Sequence, residues 1–286
     1  MRSMPVLMPQ RTGGIRRRSN YLALLLGTVA VTLPAQEAGL IVTVLDERTG
    51  EVQRNLRPEH FAVKDGETTL RVVSVNAPRG PADILLLVDT SMVGQSVRFV
   101  ADAMIEELRT NESMAVVGYH DTAELLQDFT SEKAFLRKSL QRVEYGNVPR
   151  VHDGLFASID QGFAGSASRK AIVLISAGVV GASRTPEAEV VERARAKQVS
   201  IYSVFGRGDA RSLLRRFSLR TGGASFFARR LKLEPRQLAR RVLQAVRHPY
   251  ELTVSGVYSL GDRIAVTVAD PSGSKKKLTA SVRAVD

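Results

Sequence analysis

The fold is decided by residues 83–93, which read DILLLVDTSMV. An uninterrupted apolar run that ends in a carboxylate and a hydroxyl is typical of a parallel strand buried on both faces. After it, apolar residues recur at three and four positions from Val97 to Leu108, which predicts an amphipathic helix. Ligands of open α/β sheets bind beyond the carboxyl ends of the strands, so Asp89 and Ser91 are the first candidate site residues.

The middle of the chain, residues 82–247, alternates strands with helices. Two of its predicted strands, 114–119 and 123–129, are joined too tightly for a crossover, so they must be antiparallel neighbours. This succession predicts an α/β domain with a doubly wound, Rossmann-like sheet that is mostly parallel and has one antiparallel edge strand.

Residues 38–77 and 248–286 flank this domain and are rich in alternating, strand-like patterns. Asp65-Gly66 separates two such stretches and predicts a hairpin. Each flank is too small to bury a core alone. We therefore expect the N- and C-terminal flanks to pack together as one small β-sandwich beside the α/β domain.

The first 35 residues have the layout of a secretory signal peptide. Four arginines between Arg11 and Arg18 precede an apolar block, residues 21–35, and no acidic residue occurs before Glu37. The block is shorter than the roughly 20 residues that a membrane-spanning helix needs. We expect a secreted or periplasmic protein, with a membrane anchor as the alternative if the segment stays uncleaved.

Asp89-Thr90-Ser91 after an apolar strand resembles the start of the metal-ion-dependent adhesion site in von Willebrand factor type A domains, whose pattern is Asp-x-Ser-x-Ser. The resemblance implies a magnesium ion held by two serines, a threonine from a later loop and an aspartate after the fourth strand. In that family an acidic residue of the partner completes the shell. The order of elements, with the stretches 42–75 and 221–250, resembles a bacterial group of secreted proteins related to this family.

Three ligand positions implied by the resemblance carry no side-chain oxygen in this chain. Val93 stands for the second serine, Pro149 for the threonine and Ala177 for the later aspartate. Magnesium requires near-octahedral oxygen ligands, so we expect a degenerate site and no cofactor, with Mg²⁺ the ion that the Asp89 and Ser91 remnant would hold if it holds any. The residues alone predict instead that these two side chains cap the following helix.

We expect a protein-binding module and not an enzyme, since the sequence has no phosphate loop, no Gly-x-Ser-x-Gly elbow and no His-Glu-x-x-His motif. The expected contact surface is a loop crown, defined as Asp89, Ser91, Pro149–His152 and Ala177.

The alternative function is binding of a polyanion or a membrane surface by the arginine-rich residues 193–247, in a chain of formal charge +12. Nucleic acid is not expected, because aromatic residues do not interleave with these arginines. A membrane partner is expected only if the N-terminal segment stays uncleaved.

Overall fold

The fold is that of a computed structural model, which describes residues 36–206, 209–259, 263–273 and 276–285. The predicted signal peptide, residues 1–35, lies outside the described residues. Within them, the strands are β1 (Gln36–Asp46), β2 (Phe61–Asp65), β3 (Thr68–Asn76), β4 (Ala82–Asp89), β5 (Ser113–Tyr119), β6 (Ala123–Thr130), β7 (Arg169–Ser176), β8 (Val199–Phe205), β9 (Ser225–Phe227), β10 (Tyr250–Gly256), β11 (Ile264–Val268) and β12 (Leu278–Val285).

The helices lie between β4 and β10. They are α1 (Arg98–Glu106), α2 (Lys133–Gln141), α3 (Val151–Gln161), α4 (Glu187–Ala196), α5 (Arg211–Arg220), α6 (Ala228–Leu231) and α7 (Pro235–Arg247). Short 3-10 helices occur at Pro58–His60 and Met92–Val97. Among the described residues, no helix combines the length and apolar character needed to cross a membrane.

The middle of the chain forms one six-stranded sheet in the order β6-β5-β4-β7-β8-β9. All neighbouring strands are parallel except β6, which is antiparallel to β5 at one edge. The prediction of a doubly wound, mostly parallel sheet with one antiparallel edge strand is therefore confirmed. Strand β4 lies inside the sheet, with β5 on one side and β7 on the other. The chain therefore adds strands first to one side of β4 and then to the other.

Strand β4 is apolar throughout because both of its faces are buried. Ile84, Leu86 and Val88 point into an apolar layer made with α1, α2 and α7. Leu85 and Leu87 point into a second layer, made with α3, α4 and α5. At about 1.5–3 kcal/mol for each fully buried aliphatic side chain, this pair of layers is the principal source of stability for the domain.

The two flanks form a second six-stranded sheet, which is antiparallel and has the order β11-β2-β3-β10-β1-β12. The hairpin predicted at Asp65-Gly66 joins β2 to β3. The expected β-sandwich is not confirmed, because strands of both flanks share this single sheet. Its edge strands β11 and β12 contact each other, so the sheet curls until it is nearly closed around its own apolar interior, in which Leu40, Val63 and Val254 are buried.

A buried ion pair ties the end of α7 to the loop before β5. The Arg247 guanidinium donates two hydrogen bonds of 2.7 Å to the Glu112 carboxylate and one of 2.9 Å to the Glu107 carbonyl oxygen. The two side chains are only 9% and 5% exposed. Arg247 directly precedes the segment that leads into β10, so this pair fixes the place where the chain passes from the α/β sheet to the antiparallel one.

Replacing one member of this pair should destabilise the fold. Removal of one partner leaves a buried charge uncompensated, and Glu112→Gln is expected to lower the free energy of unfolding by about 3 kcal/mol or more. Glu106→Gln is the matched control, because the Glu106–Arg137 pair is nearly half exposed and should contribute no more than about 1 kcal/mol. Urea unfolding at pH 7 measures both losses, and equal losses would contradict the assignment.

The same pair should make stability depend on pH. Burial acts to raise the pKa of Glu112, but the hydrogen bonds from Arg247 and from the Arg109 backbone outweigh it and lower the pKa. The contribution of this carboxylate is therefore present above its unfolded pKa and lost as the pH falls through the lower folded value. The stability difference between the protein and Glu112→Gln should shrink below about pH 4, the ordinary range for glutamate.

Candidate functional site

Asp89 is the last residue of β4, and its side chain is enclosed at the carboxyl end of the sheet. The residue is only 1% exposed. Its Oδ1 accepts hydrogen bonds from the Ser91 backbone N–H (3.0 Å) and the Ser91 hydroxyl (2.6 Å). Its Oδ2 accepts one from the backbone N–H of Ala177, which follows β7 (3.1 Å). Both carboxylate oxygens are thus engaged inside the protein, and Asp89, Ser91 and Ala177 lie together.

The expectation that Asp89 and Ser91 cap the next helix is wrong. Ser91 occupies the N-cap position of the 3-10 helix, but among the described residues neither its hydroxyl nor the Asp89 carboxylate accepts a hydrogen bond from that helix or from the first turn of α1. The Ser91 hydroxyl is instead a donor to the carboxylate. A hydrogen bond to an ionised group is roughly twice as strong as one between neutral groups, which favours this arrangement over a cap.

The site disfavours negative charge. Burial raises the pKa of Asp89 above its ordinary value, although the hydrogen bonds from Ser91 and Ala177 act in the opposite direction. Burial also raises the pKa of Tyr119, the neighbour of Asp89 on β5, well above its ordinary value, and the Asp89 charge adds to this rise. The tyrosine therefore stays neutral, and burial favours the neutral form of Asp89 as well.

The loop that precedes α3 is held against the loop that follows β4. The Gly146 N–H donates to the Thr90 carbonyl (3.0 Å), and the Met92 N–H donates to the Gly146 carbonyl (2.9 Å). A Cβ at Gly146 would lie 2.3 Å from Nδ1 of His120, so no larger residue fits there without a shift. A further bond, from the Arg150 N–H to the His120 carbonyl (3.0 Å), joins the start of α3 to this group.

A second glycine makes the enclosure of Asp89 possible. A Cβ at Gly94 would lie 2.1 Å from the Asp89 carbonyl oxygen and 2.6 Å from its Oδ1. Sequence reasoning missed both Gly94 and Gly146. The available signal was an isolated glycine beside a helical pattern, which points to close approach of another part of the chain without naming it.

The three positions without ligand oxygens differ in exposure. Ala177 and Pro149 are buried, and the Pro149 carbonyl accepts the Gly181 N–H at 2.9 Å. Val93 is 43% exposed; Met92 on the same loop is 59% exposed, and Val148 on the loop bonded to it through Gly146 is 36% exposed. The surface beside the loop crown is therefore formed by thioether and methyl groups.

Known proteins resemble this chain in structure but share little of its sequence. No family model matches the chain. An uncharacterised protein of Borreliella burgdorferi is 25% identical over 49% of this chain, and the match spans 45% of that protein, less than half its length. A von Willebrand factor type A structure from Catenulispora acidiphila superposes with a TM-score of 0.51 and 11% identity, over 87% of this chain and 74% of that one.

The chain has the von Willebrand factor type A fold. Proximal thread matrix protein 1 of the mussel byssus, in a structure with a zinc-occupied MIDAS motif, is also similar to it. The TM-score is 0.50 at 18% identity, over 67% of this chain and 50% of that chain. The sequence resemblance to type A domains is thus confirmed at the level of fold.

The side chains at the Asp89 end of this type A fold offer few of the oxygen ligands that a magnesium ion needs. Both Asp89 oxygens already accept hydrogen bonds from Ser91 and Ala177, and Val93 and Pro149 offer no side-chain oxygen. A magnesium ion needs about six oxygen ligands, so the residues present do not fit the ion of the adhesion site.

The arginine-rich residues of the type A fold are largely engaged in ion pairs. Seven of them contact carboxylates within the described residues: Arg193–Asp160, Arg215–Glu47, Arg216–Glu187, Arg236–Glu107, Arg240–Glu107, Arg241–Glu51 and Arg247–Glu112. Apart from the buried Arg247–Glu112 pair, these are surface pairs that contribute about 0–1 kcal/mol each to stability, but all seven neutralise charge. The basic half of the sequence is therefore not one continuous unpaired cationic face.

Substitution of Gly94 should open the enclosure around Asp89. In Gly94→Ala the added methyl group meets the Asp89 backbone and carboxylate, and overpacking of this kind costs about 1–3 kcal/mol of unfolding free energy. Gly206→Ala is the control, because a Cβ there meets only ordinary contacts of 3.8 Å or more. Thermal and urea unfolding of the two variants provide the comparison. Equal stability of the two variants would show that the loop shifts to accommodate the added methyl group with no loss of unfolding free energy.

Proposed function

We propose that this chain is an exported protein-binding module that acts without catalysis and without a metal ion, and that its contact surface is the exposed apolar edge of the loop crown, formed by Met92, Val93 and Val148. The observation that carries the proposal is the internal use of Asp89. Its carboxylate is buried and accepts three hydrogen bonds from Ser91 and Ala177, so it is not presented to a ligand.

The chemistry of the neighbouring surface supports the same proposal. Met92, Val93 and Val148 expose apolar groups at the carboxyl end of the sheet, where the ligands of open α/β sheets bind. Apolar side chains held on a hydrogen-bonded loop framework suit contact with another protein, because burial of such groups contributes affinity without ordering a loop first. The type A fold adds support only by analogy.

Export is part of the proposal and rests on the sequence of residues 1–35. The alternative, an exported binder of polyanions or membrane surfaces, would use the arginine-rich residues 193–247. The ion pairs that engage seven of these arginines argue for the crown as the principal contact surface.

Metal titration tests the first half of the proposal. Calorimetry of the purified protein with magnesium and manganese should give no saturable heat at sub-millimolar metal. The triple variant Val93→Ser/Pro149→Thr/Ala177→Asp restores the three missing oxygens and should gain saturable binding, which serves as the positive control. Saturable binding by the unmodified protein that is lost in Asp89→Ala would overturn metal independence.

Partner capture tests the second half. Immobilised protein should retain the same cell-envelope proteins with or without EDTA. Met92→Asp/Val148→Asp places charges on the apolar surface and should reduce retention at least tenfold. Val257→Asp is the control, since Val257 is 77% exposed and directly follows β10, far from the loop crown in the sequence. Retention that falls equally in both variants, or that is abolished by EDTA, would contradict the assignment.

A further inference from the structure

A cleft of about 640 Å³ lies between the α/β sheet and the antiparallel sheet, away from the residues of the loop crown. One wall is formed by α5, β9 and α6, and the other by the end of β1 and the start of β12. This volume is within the range of about 300–1,000 Å³ that is usual for small-molecule sites. The cleft is therefore large enough for an organic molecule and not only for an ion.

Part of the lining is apolar and aromatic. Leu45, Leu219 and Leu231 line the cleft together with Phe205 and Phe227. The two phenylalanine rings are stacked, with centroids 5.4 Å apart and an interplanar angle of 17°. Phe205 is buried beneath the pair, so the half-buried Phe227 ring is the aromatic surface that a ligand body can reach.

The charged lining of the cleft has more cations than carboxylates. Within the described residues, five cationic side chains meet three carboxylates, those of Asp46, Glu47 and Asp209. Glu47 is shared by two of the cations, at 3.3 Å from Arg215 and 3.0 Å from Lys277. Burial acts to raise the pKa of Glu47, but hydrogen bonds from Thr279 and Lys277 outweigh it and lower the pKa. This carboxylate therefore stays ionised, and its charge is already paired with Arg215 and Lys277.

Two of the cations have no carboxylate partner among the described residues. The Arg211 guanidinium lies over the Phe227 ring, 5.4 Å from its centroid, and Arg230 follows on α6. Arg216, which also lines the cleft, is paired by two 2.7 Å hydrogen bonds with Glu187, a carboxylate outside the lining. The unpaired positive charge is thus next to the aromatic surface.

We propose that this cleft binds a small organic anion that has an apolar body and one acidic group, such as an aromatic or aliphatic carboxylate or sulfonate. The acidic group pairs with Arg211 and Arg230, because guanidinium groups form strong, charge-assisted hydrogen bonds with planar or tetrahedral oxyanions. The body packs on Phe227 and Leu231. This site is independent of the protein-binding function proposed for the loop crown.

The probe for the test is 8-anilinonaphthalene-1-sulfonate, which joins an aromatic body to one acidic group and fluoresces when its surroundings become apolar. Titration of the purified protein should give saturable fluorescence with about one site per chain. N-phenyl-1-naphthylamine has the same ring system without the sulfonate, and it should bind at least tenfold more weakly. Absence of saturable binding, or equal affinity for both probes, would overturn the proposal.

Variants locate the site. Arg211→Gln/Arg230→Gln should raise the dissociation constant for the sulfonate at least tenfold, and Ser212→Trp, which places a large ring at the cleft, should prevent binding. The control Arg229→Gln/Lys232→Gln removes two charges from the same region, at exposed residues that do not line the cleft. Circular dichroism checks that each variant is folded.

Comparison of the variants distinguishes binding of the probe in the cleft from its attraction to the net charge of the protein. If the control pair weakens binding as much as the Arg211/Arg230 pair, the probe responds to net charge alone and the proposal fails. If Met92→Asp/Val148→Asp weakens it, the probe lies on the crown and the cleft is again excluded as its site. Retained affinity in that crown variant, with loss in Arg211→Gln/Arg230→Gln, is the result expected.

Discussion

Burial of β4 on both faces is the constraint on which the rest of the domain depends. A strand with apolar side chains in both directions requires a layer on each side, and here helices α1, α2 and α7 cover one face and α3, α4 and α5 the other. Its neighbours β5 and β7 lie on opposite sides of it, so the chain leaves β4 toward one edge of the sheet and later returns to build toward the other. The loops that follow the parallel neighbours β4 and β7 therefore lie side by side, and there the Ala177 N–H donates a hydrogen bond to the Asp89 carboxylate.

Much of this arrangement was predictable because it depends on local patterns. The apolar run at residues 84–88 and the helical period from Val97 to Leu108 each follow from neighbouring residues. The antiparallel edge strand followed from the short connection between β5 and β6. The single antiparallel sheet did not follow, since strand patterns give the presence of strands but not whether they share one sheet or stack in two.

The candidate site was predicted in its location but not in its internal contacts. Asp89 and Ser91 were found from their place after an apolar strand, whereas the role of Ser91 as a donor to Asp89 depends on which acceptor is closer in three dimensions. The requirement for glycine at positions 94 and 146 also depends on atoms of other segments. The arginine-rich half illustrates the same limit: Glu47, Glu51, Glu107 and Glu112, which engage its arginines, lie far earlier in the chain.

The position of β1 has a consequence for the order in which the protein assembles. This first described strand lies between β10 and β12, so both of its neighbours belong to the last part of the chain. During synthesis β1 emerges early and has no strand to pair with until the α/β sheet and its helices have followed. Completion of the antiparallel sheet must therefore be a late event with high contact order, which slows folding and leaves β1 open to incorrect pairing until then.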